Sequence, residues 1–460
     1  MIAEEIRNSI TEGKLLDDIS EEIKAEFYKK PRVIVILDDD PTGTQTVHDV
    51  PIITEWSEET LSHTISNHNI FFILTNSRSL HTIEAYDLGF LLGKRLRKIT
   101  ELLGKTLIPI SRSDSTLRGH YPIEIDGLKK GLDWAQCKEV FTPAFFEGGR
   151  YTFNDIHYVK EGKDFIPVSQ TPFAQDNTFG FKSSNLREWV QEKTENNIKI
   201  DNVGSVSIQT IRKDGIIQVT KELSKKEITI INATSPYDLQ VVALASLKLN
   251  KDIVYRTAAS FINAISSIRP KLFKINTALS LNERTLGGLT IIGSYVPKTT
   301  AQLNYLKNNN ENLAFLEFKV NYIHEDEEFQ KQIQTLSVLI DSFIKMSKDV
   351  VLYTTREVFT GATKTESLNI VNRVSSGLVG VVQNLTKKPK YLIAKGGITS
   401  SDIAVKGLGV KSAVVAGQAI PGVPVWILDT KSAFPGMPYI VFPGNVGDET
   451  ALHQLILELS

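Results

Sequence analysis

Short apolar runs alternate with longer segments of helical spacing along most of the chain. In the first half the runs are "RVIVIL" (32–37), "IFFILT" (70–75), "TLIPI" (106–110) and "EVFTPA" (139–144). Continuous apolar runs of this length are typical of strands that are buried on both faces. Their alternation with helical segments predicts a parallel sheet with crossover helices.

A second series of the same kind follows, with "LTIIGS" (289–294), "DVVLYTT" (349–355), "KYLIAKGG" (390–397) and "YIVFPG" (439–444). Between the two series lies a polar stretch without periodicity. We therefore predict two tandem α/β domains with largely parallel sheets and an active-site cleft between them. The predicted boundaries are an N-terminal extension at 1–30 (one amphipathic helix over 3–29), a first domain at 31–270, a linker at 271–287 and a second domain at 288–460.

Composition narrows the class of protein. A length of 460 residues favours more than one domain, and a net charge of −1 argues against a nucleic-acid or membrane partner bound by bulk electrostatics. No apolar run approaches the roughly 20 residues that span a bilayer. The single cysteine, Cys137, excludes an internal disulfide and fits a reducing compartment. We predict a soluble, cytoplasmic protein.

Acids and arginines follow four of the predicted strands in the first half. Ligands of parallel sheets bind beyond the carboxyl ends of the strands. Each position alone could be surface charge or a helix cap, but together they predict a site for a small, hydroxylated anion. Arginine pairs with carboxylate or phosphate, and a carboxylate can accept a hydroxyl proton. The candidates are Asp39 and Asp40 in "DDDPTG", Arg78 in "TNSRS", Asp114, Ser115 and Arg118 in "SRSDSTLRG", and Arg150 in "FFEGGR".

Glycine-rich turns follow the strands of the second half. In "AKGGITSSD" (394–402), two glycines stand between a predicted strand and a helix. Such turns let backbone N–H groups approach phosphate oxygens, although a tight turn with a helix cap explains this one about equally well. Three further turns have the same character: "GSYVPKTTAQ" (293–302), "GQAIPGVP" (417–424) and "FPGNVGDE" (442–449). A nucleotide held by backbone loops would explain all four.

The acidic segment also fits a different enzyme class. "DDDPT" matches the D-x-D-x-T pattern of haloacid-dehalogenase-like phosphatases, in which Asp38 would attack phosphorus and Asp40 would be the acid and base. This alternative leaves the glycine-rich second half unexplained. Two other features are interpreted as structural rather than functional. "GFLLGKR" (89–95) lies in a helical run and lacks the spacing of a P-loop, and His157 alternates with apolar residues, as a core or edge histidine does.

Several motifs together resemble the four-carbon acid sugar kinase family, and they cover about residues 32 to 455. In order they are "DDDPTGT", "SDSTLRG", "PAFFEGGR", "YRTAASF", "KGGITSSDIAVKGLGV", "GQAIPGVPVW" and "FPGNVGDE". The resemblance implies ATP-dependent phosphorylation of threonate, erythronate, 3-oxo-tetronate or a related acid. It also implies a substrate-binding first domain and a nucleotide-binding second domain.

Carried over by position, the resemblance assigns the site residues. The nucleotide would contact Ser294, Gly396, Gly397, Ile398, Thr399 and Gly444, and the acid would contact Asp39, Asp40, Arg78, Asp114, Ser115, Arg118 and Arg150. Three positions depart from the family pattern. Phe442-Pro443 stand where many members carry Lys-Ser, Ile398 where a polar or acidic residue is frequent, and Glu147 where many have Asn.

The expected reaction is phosphoryl transfer from MgATP to a hydroxyl of a short sugar acid. Asp39 or Asp40 would orient the hydroxyl and accept its proton, and Arg118 would bind the carboxylate with help from Arg78 or Arg150. The metal ligands and the oligomeric state, for which a homodimer is one option, stay open at this point.

Overall fold

The computed structural model of the protein describes residues 2–277, 279–356 and 364–459. They fold into two compact units, Met1–Pro270 and Lys271–Ser460. Both combine helices with a mostly parallel sheet, so the predicted α/β class is confirmed. Within the described ranges, no helix has both the length and the apolar character that crossing a membrane requires.

The first unit is built on an eight-stranded sheet and a separate three-stranded sheet. Its strands are β1 Arg32–Asp38, β2 Val50–Ile53, β3 Ile70–Leu74, β4 Thr106–Arg112, β5 Lys138–Thr142, β6 Arg150–Phe153, β7 Ile156–Glu161, β8 Asp164–Pro167, β9 Val203–Val206, β10 Ile228–Ile231 and β11 Ile253–Thr257. Its helices are α1 Ile2–Lys14, α2 Ser20–Phe27, α3 Glu58–Asn67, α4 Thr82–Leu102, α5 Ile123–Leu132, α6 Leu186–Lys193, α7 Gly215–Lys225, α8 Pro236–Lys248 and α9 Ala259–Ser266.

The large sheet of this unit has the order β2-β3-β1-β4-β11-β5-β10-β9, and all its pairs are parallel. Every residue of β1 is buried, as its continuous apolar pattern predicts. Because all strands run the same way, their carboxyl ends lie at one edge of the sheet. The register places Asp38, Arg112, Thr257 and Thr142, the last residues of β1, β4, β11 and β5, in one row.

The N-terminal segment forms two helices rather than the one predicted over 3–29. The break lies between α1 and α2, where the Asp18 carboxylate accepts a hydrogen bond from the Ser20 amide at 2.8 Å. Such local bonds compete with helix continuation. Ile6 of α1 is buried against three aromatic residues of the small sheet β6-β7-β8, which are Tyr151, Tyr158 and Phe165. The sequence patterns did not predict this sheet.

The second unit has a seven-stranded sheet of order β13-β14-β12-β15-β18-β17-β16. Its strands are β12 Leu289–Ile292, β13 Ala314–Phe318, β14 Val350–Thr354, β15 Leu392–Lys395, β16 Ser412–Ile420, β17 Val423–Leu428 and β18 Pro438–Phe442. Its helices are α10 Leu281–Arg284, α11 Pro297–Asn309, α12 Asp326–Lys345, α13 Lys364–Gln383, α14 Gly397–Asp402 and α15 Ala451–Leu459.

One predicted strand-end loop of this unit is a hairpin. "GQAIPGVP" (417–424) connects β16 to β17, and these strands pair antiparallel, as β17 and β18 do. The segment therefore does not form a nucleotide loop after a parallel strand. Gly417 has a positive φ of +140°, and a Cβ there would lie 2.6 Å from the carbonyl oxygen of Lys271. Residues 271–273 of the expected linker thus pack along β16, where the Phe273 amide donates to the Gln418 carbonyl at 2.8 Å.

The chain's one cysteine lies just before β5. Cys137 is buried, and burial raises the pKa of its thiol to about 11. The thiol is therefore protonated at neutral pH, and protonated buried thiols react slowly.

Candidate functional site

The acidic segment forms a tight turn at the carboxyl end of β1. Asp38 ends the strand, and Asp40 caps a short helical turn over Pro41–Thr44 by accepting a hydrogen bond from the Thr42 amide at 2.9 Å. Gly43 passes so close to the strand end that a Cβ there would overlap the Asp38 carboxylate. The turn therefore requires glycine at this position.

Arg78, which follows β3, binds two of the three aspartates. Its Nη2 and Nε donate to the two oxygens of Asp39 at 2.6 and 3.2 Å, and its Nη1 lies 3.4 Å from Asp40 Oδ2. The planar guanidinium suits this two-point contact. Asp39, Asp40 and Arg78, which the sequence predicted to lie together, do so.

Asp38 has a different environment from its neighbours. It is fully buried, and Arg112 Nη1 lies 3.3 Å from its Oδ1. Burial raises the pKa of Asp38 to about 8, although Arg112 opposes the rise. Asp38 is therefore mostly protonated at neutral pH. A buried, protonated carboxyl cannot act as the exposed nucleophile that the phosphatase alternative needs.

Asp40 stays ionised. Burial alone would raise its pKa, but the Arg78 charge and the hydrogen bonds from Thr42 outweigh burial and hold the pKa below its ordinary value. The turn thus contains a protonated carboxyl, Asp38, and an ionised carboxylate, Asp40, two residues apart.

The loop after β4 carries a second ion pair. Arg118 Nε donates to Asp114 Oδ2 at 2.7 Å, and the Thr116 hydroxyl donates to the same oxygen. Burial opposes ionisation of Asp114, but Arg118 and Arg78 outweigh it and hold the pKa of Asp114 well below its usual range. Because the Arg78 charge lowers the pKa of both Asp40 and Asp114, the two ion pairs form one charged cluster.

The three-stranded sheet supports this loop from behind. His157 of β7 is fully buried; its Nε2 donates to the Ser115 carbonyl at 2.8 Å and its Nδ1 lies 3.0 Å from the Thr152 hydroxyl. Burial lowers the pKa of His157 to about 4, so the ring is neutral. His157 is thus the core histidine that the sequence favoured, and it holds the backbone of a predicted site residue.

Arg150 lies at the start of β6 and is more loosely connected to the cluster. Its Nη1 donates to the Gly148 carbonyl, and its buried Nε has no hydrogen-bond partner among the described residues. Burial lowers the pKa of Arg150, while the nearby Asp114 charge opposes that change. The Asp114 charge therefore acts on Arg150, but the two side chains form no ion pair in the described structure.

Two further charged residues of this edge were not among the sequence candidates. Glu124 of α5 accepts a hydrogen bond from the Ser77 hydroxyl at 2.8 Å, and burial together with the Asp39 charge raises its pKa to about 7. Arg256 of β11 is 3% exposed. No loop motif marks either position: Glu124 lies inside a helix, and Arg256 lies inside a strand. Arg256 does lie in the family motif "YRTAASF", but no role was assigned to it, and Glu124 lies in none of the motifs.

The second unit has a cavity of about 310 Å³ at the carboxyl ends of β12, β14 and β15. Its polar wall consists of strand-end residues, and its apolar wall comes mainly from one face of α13. The residues are Gly293–Val296, Thr354, Thr355 and Gly396–Thr399 on the first wall, and Val320, Ile370, Val371, Val374 and Leu378 on the second. The predicted Ser294, Gly396, Gly397, Ile398 and Thr399 thus line one cavity.

The turns around this cavity are in close contact. A Cβ on Gly293 would overlap the Thr399 hydroxyl, and one on Gly444 would lie 2.9 Å from Ser294 Oγ. The Gly444 carbonyl accepts a hydrogen bond from Thr299 at 2.9 Å. Gly444 therefore adjoins the cavity through Ser294.

A buried lysine lies beneath these turns. Lys395 Nζ donates to the Pro443 carbonyl at 3.1 Å and lies 3.8 Å from the centre of the Phe442 ring. Burial lowers the pKa of Lys395 to about 7. Lys395, on the neighbouring strand β15, thus places a basic group beside Phe442 and Pro443, the two residues that depart from the family pattern.

Among the described residues, no group of three or more His, Cys, Asp or Glu side chains is arranged to hold a metal ion. The carboxylates of the acidic turn are instead paired with arginines. A metal ion that acts here would therefore take most of its ligands from a bound molecule and from water, as Mg²⁺ commonly does.

Two family models match the chain in tandem. One describes a sugar-binding N-terminal domain and matches residues 34–265, and the other describes a nucleotide-binding C-terminal domain and matches residues 289–452. The chain belongs to the four-carbon acid sugar kinase family. In this member of the family, the acidic turn and its arginines lie in the sugar-binding domain, and the 310 Å³ cavity lies in the nucleotide-binding domain.

Solved structures share the fold of this family member. A Salmonella typhimurium LT2 protein has a TM-score of 0.66 at 15% identity, over 92% of this chain and 98% of that one. A Haemophilus influenzae protein has a TM-score of 0.62 at 17% identity, over 93% of this chain and 100% of that one. At these identities the likeness concerns the fold alone. No curated protein matches the chain.

Proposed function

We propose that the protein is an ATP-dependent kinase that phosphorylates a hydroxyl of a four-carbon or similarly short sugar acid. The observation that carries this proposal is the cluster of Asp39, Asp40 and Arg78, because it lies at the ligand-binding edge of the sheet in the sugar-binding domain. A domain that binds sugars and a domain that binds nucleotides in one chain are the parts that a sugar kinase needs.

In this proposal Asp39 or Asp40 orients the acceptor hydroxyl and takes its proton as the phosphoryl group arrives. Arg78 fixes both carboxylates, so that they need not reorganise during the reaction. Asp114, Ser115, Arg118 and Arg150 bind the remaining polar groups of the acid. The two ion pairs and the bond from His157 to Ser115 support a preformed site.

The nucleotide is proposed to occupy the cavity of the second unit. Its phosphates would meet the backbone of Gly396–Thr399 and Gly444 and the Ser294 hydroxyl, while the base would contact the apolar wall on α13. Mg²⁺ would enter with ATP and neutralise phosphate charge, taking most of its ligands from the phosphates and from water.

The direct test is an ADP-release assay with ATP and a panel of acids: both stereoisomers of threonate and erythronate, with the 2-oxo and 3-oxo tetronates. We expect ADP release that depends on at least one of these acids. Absence of acid-dependent ADP release across the panel would contradict the proposal. Phosphate release from phosphorylated acids without ATP would instead favour the phosphatase alternative.

A further inference from the structure

Arg256 differs from the other arginines at this edge of the sheet. Arg78, Arg112 and Arg118 each lie against an aspartate. Arg256 is 3% exposed, yet among the described residues its guanidinium makes no hydrogen bond and no ion pair, and its Nη1 is fully buried. Its guanidinium carbon lies 5.9 Å from the centre of the Tyr121 ring.

A buried guanidinium without an acceptor is costly, because it has lost its hydration and gained no partner. Buried polar groups in native proteins nearly always have a partner in the protein, in water or in a ligand. The guanidinium of Arg256 is charged at every ordinary pH. An anionic ligand would therefore be the most effective partner.

Gly119 lies beside both Arg256 and Asp39. A Cβ on Gly119 would lie 3.4 Å from Arg256 Nη2 and 3.3 Å from Asp39 Oδ2, and Gly119 has a positive φ of +127°. Arg256 and Asp39 therefore approach the same point from two sides without pairing with each other. A side chain at Gly119 would crowd both groups, so glycine leaves the Arg256 guanidinium and the Asp39 carboxylate uncovered on this side.

The two groups differ in what they can bind. Arg256 offers donors for a carboxylate, and Asp39, one of whose sides is held by Arg78, offers an acceptor for a hydroxyl. Glu124 is the nearby acid whose charge acts most strongly on Arg256. It is itself engaged by the Ser77 hydroxyl at 2.8 Å.

We propose that Arg256 binds the carboxylate of the sugar acid while Asp39 binds a hydroxyl of the same molecule. This inference rests on the proposed kinase function and adds a substrate-binding residue to it. Arg256 then sets the specificity for acids over neutral polyols of the same length, and Arg118 and Arg150 bind elsewhere on the substrate.

The test is calorimetric binding of threonate and erythronate to the full-length protein without nucleotide, for wild type, Arg256→Met and Arg256→Lys. We expect the Kd for the acid to rise at least about 30-fold in Arg256→Met. In Arg256→Lys the Kd should rise less, because the positive charge stays but the two-point contact of the guanidinium with the carboxylate is lost. Arg97→Met, at a half-exposed position on α4, is the matched control and should leave the Kd unchanged.

Thermal unfolding of the same variants separates binding from structure. Removing an unpaired buried charge should leave the melting temperature of Arg256→Met unchanged or raise it. Weaker acid binding without loss of stability supports the inference. Wild-type affinity in Arg256→Met would overturn it and leave the kinase proposal intact, whereas a wild-type protein that neither binds nor phosphorylates any acid would overturn both.

Discussion

Three adjacent aspartates repel one another, and the turn after β1 resolves this by giving each a different environment. Asp38 is protonated beside Arg112, Asp39 is bound at two points by Arg78, and Asp40 is held by Arg78 and the Thr42 amide. Each carboxyl therefore has its own partners and its own orientation. Such separation of neighbouring carboxyls allows one of them to act on a substrate.

Neutralising the acids of this turn should abolish most of the activity. We expect Asp39→Asn and Asp40→Asn each to lower kcat by roughly 10²-fold or more, the scale of lost general-base help. The ADP-release assay measures this. Asp49→Asn, an exposed position close in the chain, is the control and should keep full activity. Unchanged kcat in both variants would remove these aspartates from the mechanism.

The buried His157 should make the protein sensitive to acid. Its pKa falls from 6.5 to about 4 on folding, so the unfolded chain binds more protons between these values. The stability due to the neutral ring is complete above the unfolded pKa and is lost as the pH falls toward 4. At pH 5 this loss is on the order of 2 kcal/mol.

We therefore expect the free energy of unfolding of the wild type to fall more between pH 7 and 5 than that of His157→Gln. Urea unfolding at several pH values measures the difference. His63→Gln, at an exposed position, should follow the wild type. If His157→Gln and the wild type have parallel pH profiles, the ring is not kept neutral by folding.

Residues at strand ends were predictable because the sheet is parallel and its carboxyl edge collects ligand-binding groups. Asp39, Asp40 and Arg78 were predicted in this way, and in the structure they lie in contact with one another. Glu124 was not predicted, and Arg256, although it lies in the motif "YRTAASF", was given no role, because the contacts of a charged residue inside a helix or strand can be predicted only when the neighbouring elements are known.

At the scale of elements, α4 and α5 pack closely through glycines on both helices. Gly89 and Gly93 of α4 face the backbone of α5, and Gly127 and Gly131 of α5 face the backbone of α4. The segment "GFLLGKR" is helical, as predicted, and its glycines serve this packing. The contact also fixes α5, the helix that carries Glu124.

Filling this interface should destabilise the protein. A Cβ on Gly131 would overlap the Phe90 carbonyl and lie 2.9 Å from the Lys94 nitrogen. We expect Gly131→Ala to lower the free energy of unfolding by roughly 1–3 kcal/mol, measured by urea unfolding. In an uncrowded helix the same change would be stabilising, so a gain would contradict this close packing. Leu102→Ala, at a 76% exposed position on α4, should have little effect.

The alternating helices and buried strands were predictable from their periodicity, whereas the hairpin of β16 and β17 was not. The Pro-Gly turn in "AIPGVPVW" shortens the apolar run that would mark β17, so the segment has the composition of a loop. The small sheet β6-β7-β8 was missed because its strands, RYTF, IHYVKE and DFIP, mix charged and polar residues with apolar ones and so form no continuous apolar run.

At the scale of the whole molecule, each unit carries one of the two candidate ligand sites. The charged cluster lies within the first unit, and the cavity lies within the second. The two binding events should therefore be separable by mutation.

A bulky side chain in the cavity should remove nucleotide binding and spare acid binding. We expect Val374→Trp, which fills the apolar wall, to abolish the ATP-induced rise in melting temperature while the sugar acid still raises it. Ser376→Trp, at an exposed position on the same helix, should respond to both ligands. A normal ATP response in Val374→Trp would place the nucleotide elsewhere.

The buried thiol of Cys137 makes this chain convenient for fluorescence. Since its only cysteine is enclosed and protonated, maleimide dyes should react at newly introduced surface cysteines and leave the native one unlabelled. One dye at Asp49→Cys and another at Ser376→Cys would mark the two units on an otherwise unmodified background. Energy transfer between the dyes would then follow, in real time, whether ligands draw the units together.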